Sequence, residues 1–171
     1  SQGFPDFDGP ERLLERVNHY VSRGFNQYAP MPGIEPLREG IAQKVKELYG
    51  ISLNPDTEVT VTSGATEALF CAITAVVRPD EEVILFDPAY DSYSPAVRLS
   101  GGLCVRLPLK APEFRPDWDQ VRDAINNRTR LIVINTPHNP SGGAWEASDV
   151  ETLQAIVADR DIYIVSDEVY E

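Results

Sequence analysis

Short apolar runs alternate with stretches of helical periodicity along most of this chain, and this alternation constrains its fold more than any other feature. The runs are nearly continuous in Val, Ile, Leu and Phe, as expected of strands that are buried on both sides of a sheet. They predict strands at residues 58–62, 82–86, 103–109, 131–134 and 162–165. Because strands that alternate with helices favour a parallel sheet, we expect an α/β fold with helices on both faces of a mostly parallel sheet.

Apolar residues at helical spacing, with capping residues at the ends, predict six helices around these strands. Asp117, with Gln120 three residues on, is typical of a helix N-terminus, and Ser148 with Glu151 repeats that pattern. The helix at 66–77 is apolar all round, which predicts burial. The helices are expected at residues 10–24, 36–50, 66–77, 92–99, 117–125 and 148–160. We expect residues 1–33 to form an N-terminal segment with a helix and a loop, and residues 34–171 to form part of the domain that carries the sheet.

The segment Ser63-Gly64-Ala65-Thr66 directly follows the first predicted strand and opens a helix. Free N–H groups at a helix N-terminus attract anions, and Ser63 and Thr66 add hydroxyl donors. A phosphate is the natural ligand of such a site. The alternative is an ordinary N-cap, in which Ser63 or Thr66 satisfies the helix amides. The spacing fits neither a Walker loop nor the G-x-G-x-x-G fingerprint.

A loop rich in Asn, Pro and Gly follows the fourth predicted strand, with the sequence Asn135-Thr136-Pro137-His138-Asn139-Pro140-Ser141-Gly142-Gly143. Pro and Gly shape the backbone here, so that the side-chain amides of Asn135 and Asn139 would be held above the carboxyl end of the strand. Ligands of open α/β sheets bind at that edge. An ordinary strand-to-helix turn uses the same residue types and is the alternative.

Asp167 directly follows the last predicted strand. A carboxylate at the end of a buried strand is costly to remove from water unless it is paired, and a protonated ring nitrogen would be a suitable partner. A helix N-cap or a local salt bridge is the alternative for this residue. A phosphate site, a pair of amides and an acidic group along one sheet edge together indicate a flat, phosphorylated heterocycle with a basic ring nitrogen.

Composition excludes several other classes of function. The formal net charge of −12 makes nucleic acid and an anionic membrane poor partners. No apolar run reaches transmembrane length and no signal peptide is visible, so we expect a cytoplasmic protein. Cys71 and Cys104 are too few for a disulfide framework and lack metal-ligand spacing, and we expect both to be core residues.

Six motifs occur in order along the chain: Gly3-Phe4-Pro5-Asp6, Asn26-Gln27-Tyr28, Ser63-Gly64-Ala65-Thr66-Glu67-Ala68, Asp87-Pro88-Ala89-Tyr90-Asp91-Ser92-Tyr93, Asn135-Thr136-Pro137-His138-Asn139-Pro140 and Ser166-Asp167-Glu168-Val169-Tyr170. In this order and spacing they resemble the fold-type I pyridoxal-phosphate aminotransferases of class I/II, most closely the branch of the kynurenine, glutamine and methionine enzymes. The resemblance implies transfer of an amino group from an L-amino acid, with methionine, glutamine or an aromatic amino acid as donor, to a 2-oxo acid. A pyridoxal-phosphate-dependent carbon–sulfur β-lyase and a non-catalytic aminotransferase-like module are the alternatives.

The resemblance also implies roles for individual residues in binding pyridoxal 5'-phosphate. The implied cofactor contacts are Ala65 and Thr66 at the phosphate, Tyr90 on the ring face, Asn135 beside the ring, Asn139 and Tyr170 at the ring 3-oxygen, and Asp167 at the ring nitrogen. Tyr28 would reach the phosphate of a neighbouring subunit, which implies a homodimer. Gly3 and Asn139 would lie near the substrate.

The family's Schiff-base lysine, carried by a Ser-x-x-Lys segment, is expected beyond Glu171, so we expect no catalytic residue in this chain. We do not expect that lysine to be Lys44, Lys46 or Lys110, because none of them lies in a Ser-x-x-Lys segment. We therefore interpret the chain as the first part of an aminotransferase large domain that is inactive by itself. His138 invites the role of general base, but the resemblance gives that work to the lysine.

Overall fold

The computed structural model describes residues 5–171, so that Gly3 lies outside the described residues. The chain forms two compact units, residues 1–61 and residues 62–171. The first unit contains the helices α1 (Glu11–Val21) and α2 (Glu35–Tyr49). The second contains α3 (Gly64–Val76), β1 (Glu82–Asp87), α4 (Tyr93–Leu99), β2 (Leu103–Pro108), α5 (Trp118–Ala124), β3 (Thr129–Asn135), α6 (Ala147–Val157) and β4 (Tyr163–Asp167). None of the helices within residues 5–171 is long and apolar enough to cross a membrane.

The first unit has a buried arginine where its second helix begins. Arg38 on α2 is 8% exposed, and its guanidinium donates to the carbonyl oxygens of Gly33 and Pro55 and to the carboxylate of Asp56. The predicted strand at 58–62 is wrong. Val61 N–H donates to the carbonyl oxygen of Pro32 at 2.9 Å, but the segment joins no sheet within the described part of the chain. A strand needs a neighbouring strand to pair its backbone groups, which this segment does not find there.

The second unit is built on a four-stranded sheet in the order β2-β1-β3-β4, in which every pairing is parallel. The other four predicted strands are therefore confirmed. Alternate side chains of each strand point to opposite faces, so both faces of β1 and β3 must be covered. On one face, α3 and α4 pack on Val83, Leu85, Leu131 and Val133. On the other, α5 and α6 pack on Ile84, Phe86, Ile132 and Ile134, which confirms the α/β layering.

Three details of the helices differ from the predictions. Among the described residues of α3 only Leu69 and Ile73 are buried, and Cys71 is exposed, because only one side of this helix meets the sheet. Cys104 is half-buried against the core. The last helix ends at Val157, and its capping box is formed by Glu146 and Asp149, not by Ser148 and Glu151. The Asp117 cap is confirmed, since its side chain accepts from the N–H groups of Asp119 and Gln120.

Candidate functional site

A cavity of about 220 Å³ opens at the carboxyl edge of the sheet. The chain passes from β1 outwards to β2, returns to β3 and continues to β4 on the opposite side, so the sheet reverses its winding between β1 and β3. Ligands of open α/β sheets bind where the winding reverses, because the two connecting segments diverge there and leave a crevice. The cavity is lined by Ala65, Thr66, Leu69, Tyr90, Asn135, Asn139, Asp167, Val169 and Tyr170.

Asn135, the last residue of β3, connects the loop that follows it with the end of β4. Its side-chain amide donates to the carbonyl oxygens of Asp167 at 2.9 Å and of Pro137 at 3.2 Å. Its Oδ1 accepts from the backbone N–H of Asn139 at 2.7 Å. Because both hydrogens and the oxygen of the amide have partners in the chain, Asn135 fixes the position of Asn139 while forming part of the cavity wall.

Asn139 and Tyr170 lie together at the cavity, although 31 residues separate them in sequence. The Asn139 side-chain amide lies 3.4 Å from the Tyr170 hydroxyl. Tyr170 is 58% exposed and Asn139 is half-buried, so both can turn a donor towards a ligand. The pair therefore forms a polar side of the cavity that suits a single acceptor atom placed between them.

Asp167, the last residue of β4, contributes a buried carboxylate to the same cavity and is 7% exposed. Its Oδ2 accepts from the Tyr93 hydroxyl at 2.5 Å and its Oδ1 from the Val169 N–H at 3.2 Å. Burial in the first place, and then the hydrogen bond to Asp167, raise the pKa of Tyr93 well above its usual range. Tyr93 is therefore the donor and Asp167 the acceptor, and the carboxylate keeps spare lone pairs for a cation or donor in the cavity.

The start of α3 forms the opposite side of the cavity with Ala65 and Thr66. Ser63 is the N-cap, but its side chain makes no hydrogen bond to the helix amides. The Glu67 carboxylate instead accepts from the Ser63 N–H. The N-cap alternative considered for this segment thus fails for Ser63, and the first turn of this 13-residue helix, with Ala65 and Thr66, lines the cavity.

Tyr90 and Tyr28, both predicted to contact the cofactor, occupy different parts of the chain. Tyr90 lines the cavity and is 37% exposed, with its ring edge-to-face against Tyr93 at a centroid distance of 5.9 Å. Tyr28 lies in the first unit, in the loop after α1, and its side chain is fully exposed. Seven of the predicted cofactor residues thus line one cavity, and Tyr28 is not among them.

His138 supports the loop and does not line this cavity. It is 7% exposed, with Nε2 2.9 Å from the Pro88 carbonyl oxygen and Nδ1 2.7 Å from the Ser141 hydroxyl. A carbonyl oxygen only accepts, so Nε2 carries the proton and Nδ1 accepts from Ser141. Burial lowers the pKa of His138, and the bond to Pro88 opposes this in part. Both ring nitrogens are engaged, Nδ1 with Ser141 of the same loop and Nε2 with Pro88 after β1, so neither is available as a general base.

Comparison with known proteins places this geometry in a family. The model of the aminotransferase class I and II family matches residues 1–171. The chain belongs to the class I and II aminotransferases. It is 55% identical over 171 residues to a methionine aminotransferase of Escherichia coli (strain K12), covering 100% of this chain and 44% of the relative. It is 43% identical over 173 residues to a probable N-succinyldiaminopimelate aminotransferase of Mycobacterium tuberculosis, covering 99% of this chain and 43% of the relative.

Solved structures of aminotransferases show the same fold. A methionine aminotransferase structure from Escherichia coli superposes with a TM-score of 0.98 at 55% identity, covering 100% of this chain and 45% of the other. An aspartate aminotransferase structure from Thermus thermophilus gives a TM-score of 0.93 at 38% identity, covering 100% of this chain and 45% of the other. This aminotransferase chain thus spans less than half the length of the curated relatives it matches.

The sequence patterns assign no role to two residues at this cavity. Tyr93 lies in the 87–93 motif and bonds Asp167, and Leu69 lies in the apolar helix and lines the cavity. The helical spacing of Tyr90 and Tyr93 hinted that both rings share one face of a turn. Nothing in the sequence indicated that the hydroxyl of Tyr93 meets a carboxylate 74 positions later.

Proposed function

We propose that the cavity binds pyridoxal 5'-phosphate in a full-length aminotransferase that contains this chain. The buried Asp167 carboxylate at the cavity wall carries this proposal, because a buried anion with spare lone pairs needs a cationic or donating partner. A protonated pyridine nitrogen is such a partner. The first turn of α3 supports a phosphate on the other side, and the Asn139–Tyr170 pair supports a ring oxygen between them.

The chain's residues would orient the cofactor and stabilise one of its protonation states. Asp167 would favour the protonated ring nitrogen through its opposite charge. The amide of Asn139 and the hydroxyl of Tyr170 would donate to the ring 3-oxygen, and Tyr90 would pack on the ring face. Thr66 and the N–H groups of α3 would hold the phosphate. When bound, the cofactor supplies an electron sink for the α-carbon of an amino acid, and these contacts place it and tune it.

Amino transfer from an L-amino acid to a 2-oxo acid is the activity that we propose for the full-length protein. The 55% identity to a methionine aminotransferase supports methionine as donor ahead of glutamine or an aromatic amino acid. Asn139, and Gly3 beyond the described residues, remain our candidates for substrate contacts. The full exposure of Tyr28 suits the proposed contact with the cofactor of a second subunit, and hence a homodimer. A cytoplasmic location stays a prediction.

Keto-acid formation from methionine by the full-length protein tests this function. We expect formation of the keto acid to need both added pyridoxal phosphate and an acceptor 2-oxo acid, because amino transfer balances only when an acceptor takes up the amino group of each donor. Pyruvate formation from a cysteine S-conjugate at the same rate with and without acceptor would instead indicate a carbon–sulfur β-lyase, because β-elimination releases the thiol and ammonia and needs no amino acceptor. Absence of any turnover by cofactor-loaded protein would favour a non-catalytic module.

The Asp167→Asn variant connects that activity to the cavity. Removing the charge should lower the rate of amino transfer by roughly a hundredfold or more, as expected when a preorganised electrostatic contact is lost. Asp123→Asn is the matched control, because Asp123 is an exposed residue of α5. Equal rates in the two variants would contradict the proposed role of Asp167.

A further inference from the structure

Tyr93 lies behind the cavity wall and contacts two of the side chains that we assign to the cofactor. Its hydroxyl donates to Asp167 Oδ2 at 2.5 Å, and its ring meets Tyr90 edge-to-face at 5.9 Å. Tyr93 itself does not line the cavity, and it is 3% exposed. Any effect of Tyr93 on a ligand there must therefore pass through its neighbours, and its hydroxyl acts through Asp167.

The hydrogen bond from Tyr93 restricts the Asp167 carboxylate more than the hydrogen bond from the Val169 N–H does. The second torsion of an aspartate side chain is broad, so a carboxylate with a single donor can rotate. Asp167 has two donors, one on each oxygen: the hydroxyl of Tyr93 and the N–H of Val169. The Val169 N–H lies two residues away on the exposed segment after β4, whereas Tyr93 belongs to α4 and is packed into the core.

The phenol also suits an electrostatic role. Burial and the bond to Asp167 raise the pKa of the Tyr93 phenol, so that it remains a neutral donor to the carboxylate. A charged donor such as Lys or Arg at this position would compete with a pyridine nitrogen for the carboxylate. Tyr93 is a neutral donor and does not compete in this way.

We propose that Tyr93 is a positioning residue that holds the Asp167 carboxylate in one orientation for the cofactor's ring nitrogen, and that its ring supports the Tyr90 face. This inference rests on the proposed function. The hydroxyl of Tyr93 would set the orientation of Asp167, and Asp167 would in turn favour the protonated form of the ring nitrogen.

The test is a double-mutant cycle in the full-length protein, with the dissociation constant of pyridoxal phosphate as readout. Tyr93→Phe keeps the ring and its contact with Tyr90 but removes the hydroxyl. We expect it to raise the dissociation constant about tenfold, which corresponds to about 1.4 kcal/mol. In the Asp167→Ala background the same substitution should change the constant less than about twofold, because its target is gone. An equal effect in both backgrounds overturns the proposal.

A spectroscopic readout separates positioning from mere structural support. With 15N-labelled cofactor, we expect the ring-nitrogen signal of Tyr93→Phe to move towards that of the unprotonated ring. A purely structural contact would lower the melting temperature of the cofactor-free protein but leave the dissociation constant and this signal unchanged. Tyr163→Phe is the matched control, since it removes a half-exposed hydroxyl at the other end of β4.

A second measurement covers the case in which Tyr93→Phe does not fold. Replacing Tyr93 with 3-fluorotyrosine keeps the hydroxyl, and its 19F signal should shift when the cofactor-free protein is loaded, because Asp167 then shares its charge with the ring nitrogen. An unchanged 19F signal overturns the proposal. Wild-type protein that takes up no pyridoxal phosphate contradicts the proposed function itself, whereas normal uptake with unaffected variants contradicts only the role of Tyr93.

Discussion

At the scale of single residues, His138 shows how a buried polar side chain can hold a functional loop in place. It joins the turn after β1 to the loop after β3 through Pro88 and Ser141, and its backbone exchanges hydrogen bonds with Gly142 and Gly143. Asn139, which follows it, thereby gains a fixed approach to the cavity. The sequence places His138 in the loop, but the role depends on a carbonyl group 50 positions away.

His138 should make the stability of the protein sensitive to acid. Burial lowers its pKa in the folded state, so the unfolded chain binds a proton more readily. Stability from this residue is complete above the unfolded pKa near 6.5 and is lost as the pH falls through the lower, folded pKa. We expect the melting temperature to fall between about pH 7 and about pH 5, and we expect part of that fall to be absent in His138→Gln.

The other histidine of the chain provides the control for this experiment. His19 is half-buried on α1 and contacts the ring of Tyr20. His19→Gln should keep the acid-dependent fall that His138→Gln reduces. If both variants keep the wild-type slope, the titration of His138 does not contribute to acid sensitivity.

At the scale of elements, two glycines of α2 should respond in opposite ways to the same substitution. Gly50 ends the helix at φ +71°, in the left-handed region, where a Cβ atom is strained. Gly40 lies inside the helix, and a Cβ built there meets nothing within 4 Å. We expect Gly50→Ala to lower the free energy of unfolding by roughly 1 kcal/mol and Gly40→Ala to raise it by about 0.5–1 kcal/mol. Urea unfolding of the two variants measures both changes, and a shared sign would contradict the argument.

Helix ends were predictable from sequence only where the cap is local. Asp117 caps α5 through N–H groups two and three residues on, and the sequence pattern identified it. Asp149 instead accepts from Trp118 and Arg115 as well as from the Glu146 N–H. With these distant partners Asp149 is buried in the first turn of α6. The capping box therefore joins Asp149 to the N-cap Glu146, and the local Ser148–Glu151 pattern does not form one.

The predicted strand at 58–62 failed for a related reason. Alternating Val and Thr residues favour an extended backbone, but strand formation depends on the pairing partner. The four confirmed strands lie next to one another in the sheet, and each has its partners within residues 62–171. Periodicity can therefore show that a segment suits a strand, but it cannot show that the fold provides a strand to pair with it.

At the scale of the whole molecule, an apolar row on α1 stays exposed. Leu13, Leu14, Val17, Tyr20 and Val21 repeat at helical spacing, but no residue of α1 is buried and each of these side chains is at least 44% exposed. Rows of this kind are typical of helices that pack against another surface.

We expect the 171-residue chain, when produced alone, to self-associate through this row. Light scattering coupled to gel filtration should show species larger than 19.0 kDa, and Leu13→Gln with Val17→Gln should shift them towards the monomer. Glu11→Gln with Glu15→Gln is the matched control, with the same spacing and the same introduced residue on exposed acidic positions of α1. Association that the control reduces as much as the apolar variant would rule out the apolar row as its cause.

The sequence by itself determined the class of fold, four of the strands, the start of α5 and the residue types at the carboxyl edge. These depend on periodicity and on contacts within a few positions, which the order of residues specifies directly. Only the tertiary structure decided that Tyr93 donates to Asp167 and that His138 donates to the Pro88 carbonyl oxygen. It also decided that Asp149 and Glu146 form the capping box of α6. Each of these depends on burial, because a buried polar group must find a partner wherever the fold brings one, however far apart the two lie in sequence.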